Sequence, residues 1–388
     1  MLLAKKLTQL GTETAFDVLA RAQKLKDAGW DIINLGIGQP DFPTPANIVE
    51  AAAKALRDGH HGYTPANGIL PLREAVAADM AKRRGVDIDP DRIVIVPGGK
   101  VTMYFAISMF GEPGAEIMYP DPGFPIYRSV IEFTGAKAIP IPLYEKSGFS
   151  FSAEEVLAKI TDRTRLIIVN SPANPTGGVV PKAELDRLVE GLAAHPQVAV
   201  MSDEIYARMV YDGVPHASMT AYPELEDRLI LLDGWSKTYA MTGWRLGWAV
   251  WPKELAPIAT RLAINIHSCV NAATQYAGIE ALTGPQDPVA SMVQAFDQRR
   301  GLIVDRLNAL PGFRCARPGG AFYTFPNIEG TERPAADLQE QILTEAGVAV
   351  IAGTSFGDQG EGYLRFSYAN SIENIETAID RIGKLLGC

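Results

Sequence analysis

The sequence predicts an α/β fold, a mainly parallel sheet wrapped by helices, followed along the chain by a smaller α+β unit. Three observations carry that prediction. Up to residue 283, apolar runs of strand length alternate with longer segments of helical period. After LTGPQDP (282–288) the texture changes to one long helical pattern and then short strands. The 388 residues also exceed the usual size of one compact core, so two domains, or one large domain with a satellite, are expected.

Taken in order, the strand candidates of the first part are IINL (32–35), RIVIV (92–96), EIMY (116–119), RLIIV (165–169), VAVMS (198–202) and RLILLD (228–233). Helical period fills 45–58, 69–84, 100–110, 124–134, 152–160, 181–194, 253–266 and 271–283, several of these opened by Pro, Asn, Ser or Asp. Strands that alternate with helices are joined by crossovers, which is why the sheet is expected to be mainly parallel. Beyond 288, a helix over 289–310 precedes short strands near 313–316, 320–325 and 347–351, then EGYLRFSYA (361–369) and a terminal helix. The residues before 45 contain no core of their own. The expected division is 1–44 as an N-terminal arm and part of the small domain, 45–285 as the large domain, and 286–388 as the small C-terminal domain.

Composition narrows the class of function. Hydrophobic residues at 47% and charged residues at 21% are ordinary for a globular protein. The net charge of −9, with no basic block or aromatic-basic stripe, argues against nucleic acid and against an anionic membrane as partners. A small metabolite fits better. Cys269, Cys315 and Cys388 show neither CxxC nor zinc spacing, which fits a reducing compartment. The start MLLAKKLTQL lacks the apolar stretch of a signal peptide, and no segment approaches a membrane span, so a soluble, cytoplasmic protein is expected.

The chemistry is expected where strands end, because the carboxyl ends of parallel strands are where α/β proteins bind ligands. In LLDGWSKTYAMTGWRLGWAV (231–250), Lys237 follows a strand and stands among apolar and aromatic residues. It is a surface charge or, if partly desolvated, an amine with a lowered pKa and nucleophilic character. Arg245 is a buried ion-pair partner or a fork for a phosphate. In VMSDEIYARMVY (200–211), Asp203 is a helix cap or an acid beneath a cationic ring, with Tyr206 three residues on. NSPANPTGG (170–178) is a turn whose Asn174 can reach the same ligand. In VPGGKVTMYFA (96–106) a strand passes into a helix, so the amides of Gly98, Gly99 and Lys100 can face an anion, although the spacing is not that of a P-loop. Four strand ends thus each offer one polar group suited to a ligand with a phosphate, a ring and an aldehyde.

Together SKTYAMTGWRLG, DEIY, NPTG, GYTPANGILPLRE and YLRFSYA resemble, in order and over nearly the whole chain, the motif set of the class I/II aminotransferases of fold type I. That resemblance implies a seven-stranded, mainly parallel sheet, the cofactor pyridoxal 5'-phosphate and transfer of an amino group between an L-amino acid and a 2-oxo acid by a ping-pong mechanism that needs no metal. It implies that Lys237 forms the Schiff base and shuttles the proton, and that Asp203 pairs with the pyridinium nitrogen. Asn174 and Tyr206 would bond the ring oxygen; Arg245, Ser236 and the amides of Gly99 and Lys100 would hold the phosphate. Phe124, in DPGFPIY, would stack on the ring. Tyr63 would reach the phosphate of a neighbouring subunit, which implies a homodimer with shared active sites. Arg365 would clamp the substrate carboxylate, with the backbone near Gly38, in LGIGQPDF, closing over it; its alternative is a surface charge at a strand edge.

The resemblance has gaps. Many relatives place a serine three residues before the lysine, where this chain has Gly234. No arginine stands in INIHSCVNAATQYA (264–277), the region aligned with a reader of second carboxylates across the dimer; His267, Asn271 and Gln275 are the candidates there. Phe124, Tyr63, Trp235 and Ile37 would make the pocket mouth apolar. The same scaffold also serves C–S β-lyases, decarboxylases and cyclopropane-carboxylate synthases, so fold and cofactor leave the reaction type open.

Overall fold

The computed structural model describes residues 2–12 and 14–388. A helix, α1 (Thr14–Asp27), precedes the short strand β1 (Ile33–Asn34), and α2 (Ala46–Arg57) and α3 (Leu70–Arg84) follow it. Then come β2 (Ile93–Val96), α4 (Gly99–Phe110), β3 (Glu116–Asp121), α5 (Ile126–Thr134), β4 (Lys137–Pro142), α6 (Ala153–Ala158), β5 (Thr164–Asn170), α7 (Lys182–Leu192), β6 (Ala199–Asp203), β7 (Leu229–Gly234) and β8 (Gly247–Val250). The strands β2 to β8 form one seven-stranded sheet in the order β2-β8-β7-β6-β5-β3-β4. It is parallel throughout except for β8, which runs antiparallel to β7 and to β2.

Alternation along each strand sends side chains to the two faces of this sheet. Val94 and Val96 join one buried cluster with Ile230 and Leu232, whereas Ile93 and Ile95 join another with Leu231. The helices α3, α8 (Ala256–His267) and α9 (Ala272–Thr283) contribute to these clusters, as does α4. Burying each such Val, Leu or Ile contributes roughly 1.5–3 kcal/mol, so the sheet is a stiff platform for whatever its carboxyl ends carry.

The rest of the chain supplies most of a further buried cluster, which Tyr206, Met209 and Tyr211 also join. The long α10 (Asp287–Asn308), β9 (Tyr323–Thr324), α11 (Ala335–Ala346), β10 (Val348–Ala349), β11 (Ile351–Ala352), β12 (Leu364–Ser367) and α12 (Ile372–Leu386) pack around Phe296, Phe322, Leu338, Phe366 and Ile379, and Ile33 and Leu35 join them. The strands β11-β12-β9 make an antiparallel sheet, and β1 pairs in parallel with β10.

Three features depart from the sequence reading. IINL contributes β1 to the two-stranded sheet with β10 and not to the main sheet. The strands β4 and β8 are additions: KAIPIP carries two prolines, which an edge strand such as β4 tolerates, and GWAV lies among glycines and aromatics that obscure its period. The stretch 313–316 forms only an isolated bridge between Arg314 and Asn327.

Candidate active site

The connections leaving the carboxyl ends of β2, β5, β6 and β7, together with β12 and the Gly36–Gly38 segment, enclose a cavity of about 480 Å3. Of the residues expected in the site, Gly38, Gly99, Lys100, Phe124, Asn174, Asp203, Tyr206, Ser236, Lys237, Arg245 and Arg365 line it. Register explains the convergence: Asn170 lies opposite Asp203, Asp203 opposite Leu232, Gly234 opposite Gly247, and Gly247 opposite Val96. Groups that follow these positions therefore emerge at one level.

Lys237 stands three residues past the end of β7, half-buried, with Nζ donating to the Gly38 carbonyl and 5.9 Å from the centre of the Phe322 ring. Gly38 has no room for a side chain: a Cβ there would fall 2.3 Å from the Tyr323 hydroxyl, itself fixed at 2.8 Å from the hydroxyl of Tyr206. Gly38→Ala is therefore expected to cost about 1–3 kcal/mol in urea unfolding, because Tyr323 is buried and must shift.

Asp203 is 2% exposed. Its Oδ2 accepts from the Tyr127 hydroxyl at 2.6 Å and its Oδ1 from the Ile205 amide at 3.2 Å. Burial pushes its pKa up to about 6, while those two hydrogen bonds oppose the rise. Burial also raises the Tyr206 phenol well above its ordinary value, so it stays protonated as a donor.

Asn170 ties the NSPANP turn to β6: its Oδ1 accepts from the Asn174 amide at 3.0 Å and its Nδ2 donates to the Asp203 carbonyl at 3.1 Å. The Asn174 side chain then accepts from Arg365 Nη1 at 2.9 Å. Arg365 is 4% exposed, so it is no surface charge; Nη2 donates to the Gly36 carbonyl, and the guanidinium lies 4.7 Å from the Tyr323 ring centre and 4.6 Å from that of Phe356.

At the opposite end, α4 begins at Gly99, so the positive end of the helix, the first turn with Gly99 and Lys100, lies at the cavity. Gly98 leads into it with φ +92°, a conformation that favours glycine. Arg245 is exposed at the cavity, not buried in an ion pair, and donates to the carbonyls of Thr242 (2.9 Å) and Pro97 (3.3 Å) beside that turn.

The remaining candidates lie outside the cavity of their own chain, and of these only the expectation for Trp235, at the mouth, is overturned. Tyr63 is 95% exposed and does not line the cavity of its own chain. Trp235 does not line its mouth; it is fully buried and donates to the Gly278 carbonyl at 3.1 Å. Asn271 caps α9 by accepting from the Thr274 amide at 2.9 Å, and Gln275 is buried between the Ile69 amide and the Val270 carbonyl. His267 stacks on Phe105. All three are outside the cavity lining.

Residues 30–382 match the family model of the class I and II aminotransferases. The chain belongs to that family. It is 37% identical to an aspartate aminotransferase of Geobacillus stearothermophilus over 100% of this chain and 99% of the relative, and 38% identical to an aromatic-amino-acid aminotransferase of Thermococcus litoralis over 92% of each. The solved aspartate aminotransferase of Thermus thermophilus with maleate superposes with a TM-score of 0.95 at 33% identity, covering 100% of both chains. The fold expected from the sequence is thus fold type I, and the enzyme is an aminotransferase; nothing favours the lyase alternative.

Among the residues that line this aminotransferase's cavity and escaped the sequence reading are Phe16, Tyr127, Tyr323 and Phe356. Tyr127 stood in DPGFPIY one helical turn from Phe124, and that spacing was a usable signal. The others carried none, because their segments reach the site only through packing.

Proposed function

We propose that this aminotransferase works with pyridoxal 5'-phosphate in the cavity, the amino acid entering between Lys237 and Arg365. The donor set fits that group. The buried Asp203 carboxylate, whose pKa stands near 6 with only neutral hydrogen-bond donors from Tyr127 and Ile205, suits a cationic ring nitrogen. The Gly98–Lys100 turn at the start of α4, with Arg245 and Ser236 beside it, suits a phosphate. When bound, the cofactor supplies an electrophilic carbon and a ring that delocalises the electron pair left by proton loss.

The chain's own residues do the rest. Lys237 would hold the cofactor covalently until the substrate's amino group displaces it, and its freed Nζ would then carry the proton from the substrate Cα to the electrophilic carbon that the cofactor supplies. Asp203 keeps the ring nitrogen protonated. Tyr206 and Asn174 would donate to the ring oxygen, Phe124 would cover the ring, and Arg365 would receive the substrate carboxylate, which would fix the Cα–H bond relative to Lys237. An amino acid enters and its 2-oxo acid leaves, after which a second 2-oxo acid runs the same residues in reverse. Residues 286–388 with the arm act as the small domain that closes over the substrate, and the exposed Tyr63 completes the phosphate site of a second subunit in a homodimer.

The observation that carries this reading is the meeting of Lys237, Asp203, Asn174, Arg245 and Arg365 in one cavity. At its mouth Lys100 Nζ lies 5.4 Å from the ring centres of both Phe16 and Phe124, a setting that suits acidic and aromatic side chains alike. Aspartate and phenylalanine should both be turned over with 2-oxoglutarate in a panel of L-amino acids; no glutamate from any amino acid of the panel would overturn the reading. Arg365→Ala should raise KM by about 10- to 100-fold, the loss of a charge-assisted pair, and equally for every amino acid tested.

A further inference from the structure

Two buried carboxylates, Glu204 and Asp233, have no part in the roles given above. Neither lines the cavity, since each lies on the side of its strand turned away from it. They are neighbours across the sheet: the Glu204 amide donates to the Leu232 carbonyl at 2.9 Å, which carries the β6–β7 ladder one residue past Asp203. Arg84, the last residue of α3, joins them. Its side chain is 6% exposed; Nη1 bonds Glu204 Oε2 and donates to Ser218 Oγ at 2.8 Å, and Nη2 donates to Asp233 Oδ2 at 3.1 Å. Around this bridge, Glu204 Oε1 accepts from Ser202, Ser218 and the Met219 amide, His216 Nδ1 lies 3.7 Å from Oε2, Arg83 lies 3.7 Å from Asp233, and Asp233 Oδ1 accepts from the Gly234 amide.

A planar fork bonded to one carboxylate on each strand tolerates one spacing between them. Asp203 directly precedes Glu204, and Lys237 follows Asp233 by four residues through the buried Trp235. We infer that Arg84 is a positioning residue: by stapling the ends of β6 and β7 it fixes Asp203 relative to Lys237. The inference rests on the roles proposed for those two residues.

Arg84→Met strips two buried carboxylates of the cation they share and can fail to fold, so the deciding variant is Arg84→Met/Glu204→Gln/Asp233→Asn, uncharged and close in volume. In the wild type both carboxylates raise the Asp203 pKa; the triple variant removes these two anions and one cation, so on charge alone the ionised Asp203 that pairs with the cofactor is not disfavoured. Positioning demands the opposite. The triple variant should melt within a few degrees of wild type without cofactor, bind pyridoxal 5'-phosphate more weakly in equilibrium dialysis, and lose about 10- to 100-fold in kcat with little change in KM. Arg84→Lys, which keeps the charge without the fork, should fall between, and it decides the case by the same readouts if the triple variant is insoluble. Wild-type cofactor affinity and kcat in either folded variant would overturn the role of Arg84. A wild-type protein that takes up no cofactor would instead overturn the functional reading.

Discussion

Lys237→Ala should abolish covalent retention of pyridoxal 5'-phosphate and lower turnover by about 10,000-fold, the upper range for removing a positioned acid–base group. After borohydride reduction, mass spectrometry should find the cofactor on the wild-type peptide that contains Lys237 and on no peptide of the variant. The fold should survive. Lys237 is only half-buried, and its bond to the Gly38 carbonyl is a contact worth about 1 kcal/mol. The cofactor-free variant should therefore melt near the wild type. Cofactor found on another lysine of the wild-type protein would defeat the assignment.

Asp203→Asn should separate stability from catalysis. The amide can keep its oxygen for the Ile205 amide and donate its nitrogen to the Tyr127 hydroxyl oxygen, but it cannot carry the charge that burial opposes. Turnover should fall by about 100- to 1,000-fold, the scale of removing a preorganised charge. Cofactor-free stability at neutral pH should hold or rise. The sign follows from linkage: a carboxyl at about 6 in the folded protein binds its proton more tightly than the same group unfolded, so its burial costs stability above that pH. The cost is relieved as pH falls through 6 towards the ordinary carboxylate range near 4. Any stability advantage of the variant should therefore shrink over that interval in chemical denaturation, and an advantage that grows instead would contradict the raised pKa.

The main sheet was legible because hydrophobic period is a local property. RLIIV, VAVMS and RLILLD each mark a strand, and in a parallel sheet their carboxyl ends share one level, which already gathered Asn174, Asp203 and Lys237. Where local signals were weak the reading fell short: KAIPIP was hidden by its prolines, and α1, a polar helix with only Val18 and Ala22 buried, brings Phe16 to the cavity without an apolar stripe to announce it.

By itself, then, the sequence determined the α/β architecture, the strand ends that carry the polar groups, and through its motifs the family. The tertiary structure alone decided which groups touch. Arg365 meets the Gly36 carbonyl across 329 positions and Asn174 across 191, Tyr206 meets Tyr323 across 117, and Tyr127 meets Asp203 across 76. It also sent Trp235, Asn271 and Gln275 into packing and capping, and turned Glu204 and Asp233 away from the cavity toward Arg84. Such pairings depend on how helices and small sheets dock on the main sheet. No period within a single segment encodes them, because the energy that selects them arises only when distant surfaces are buried together.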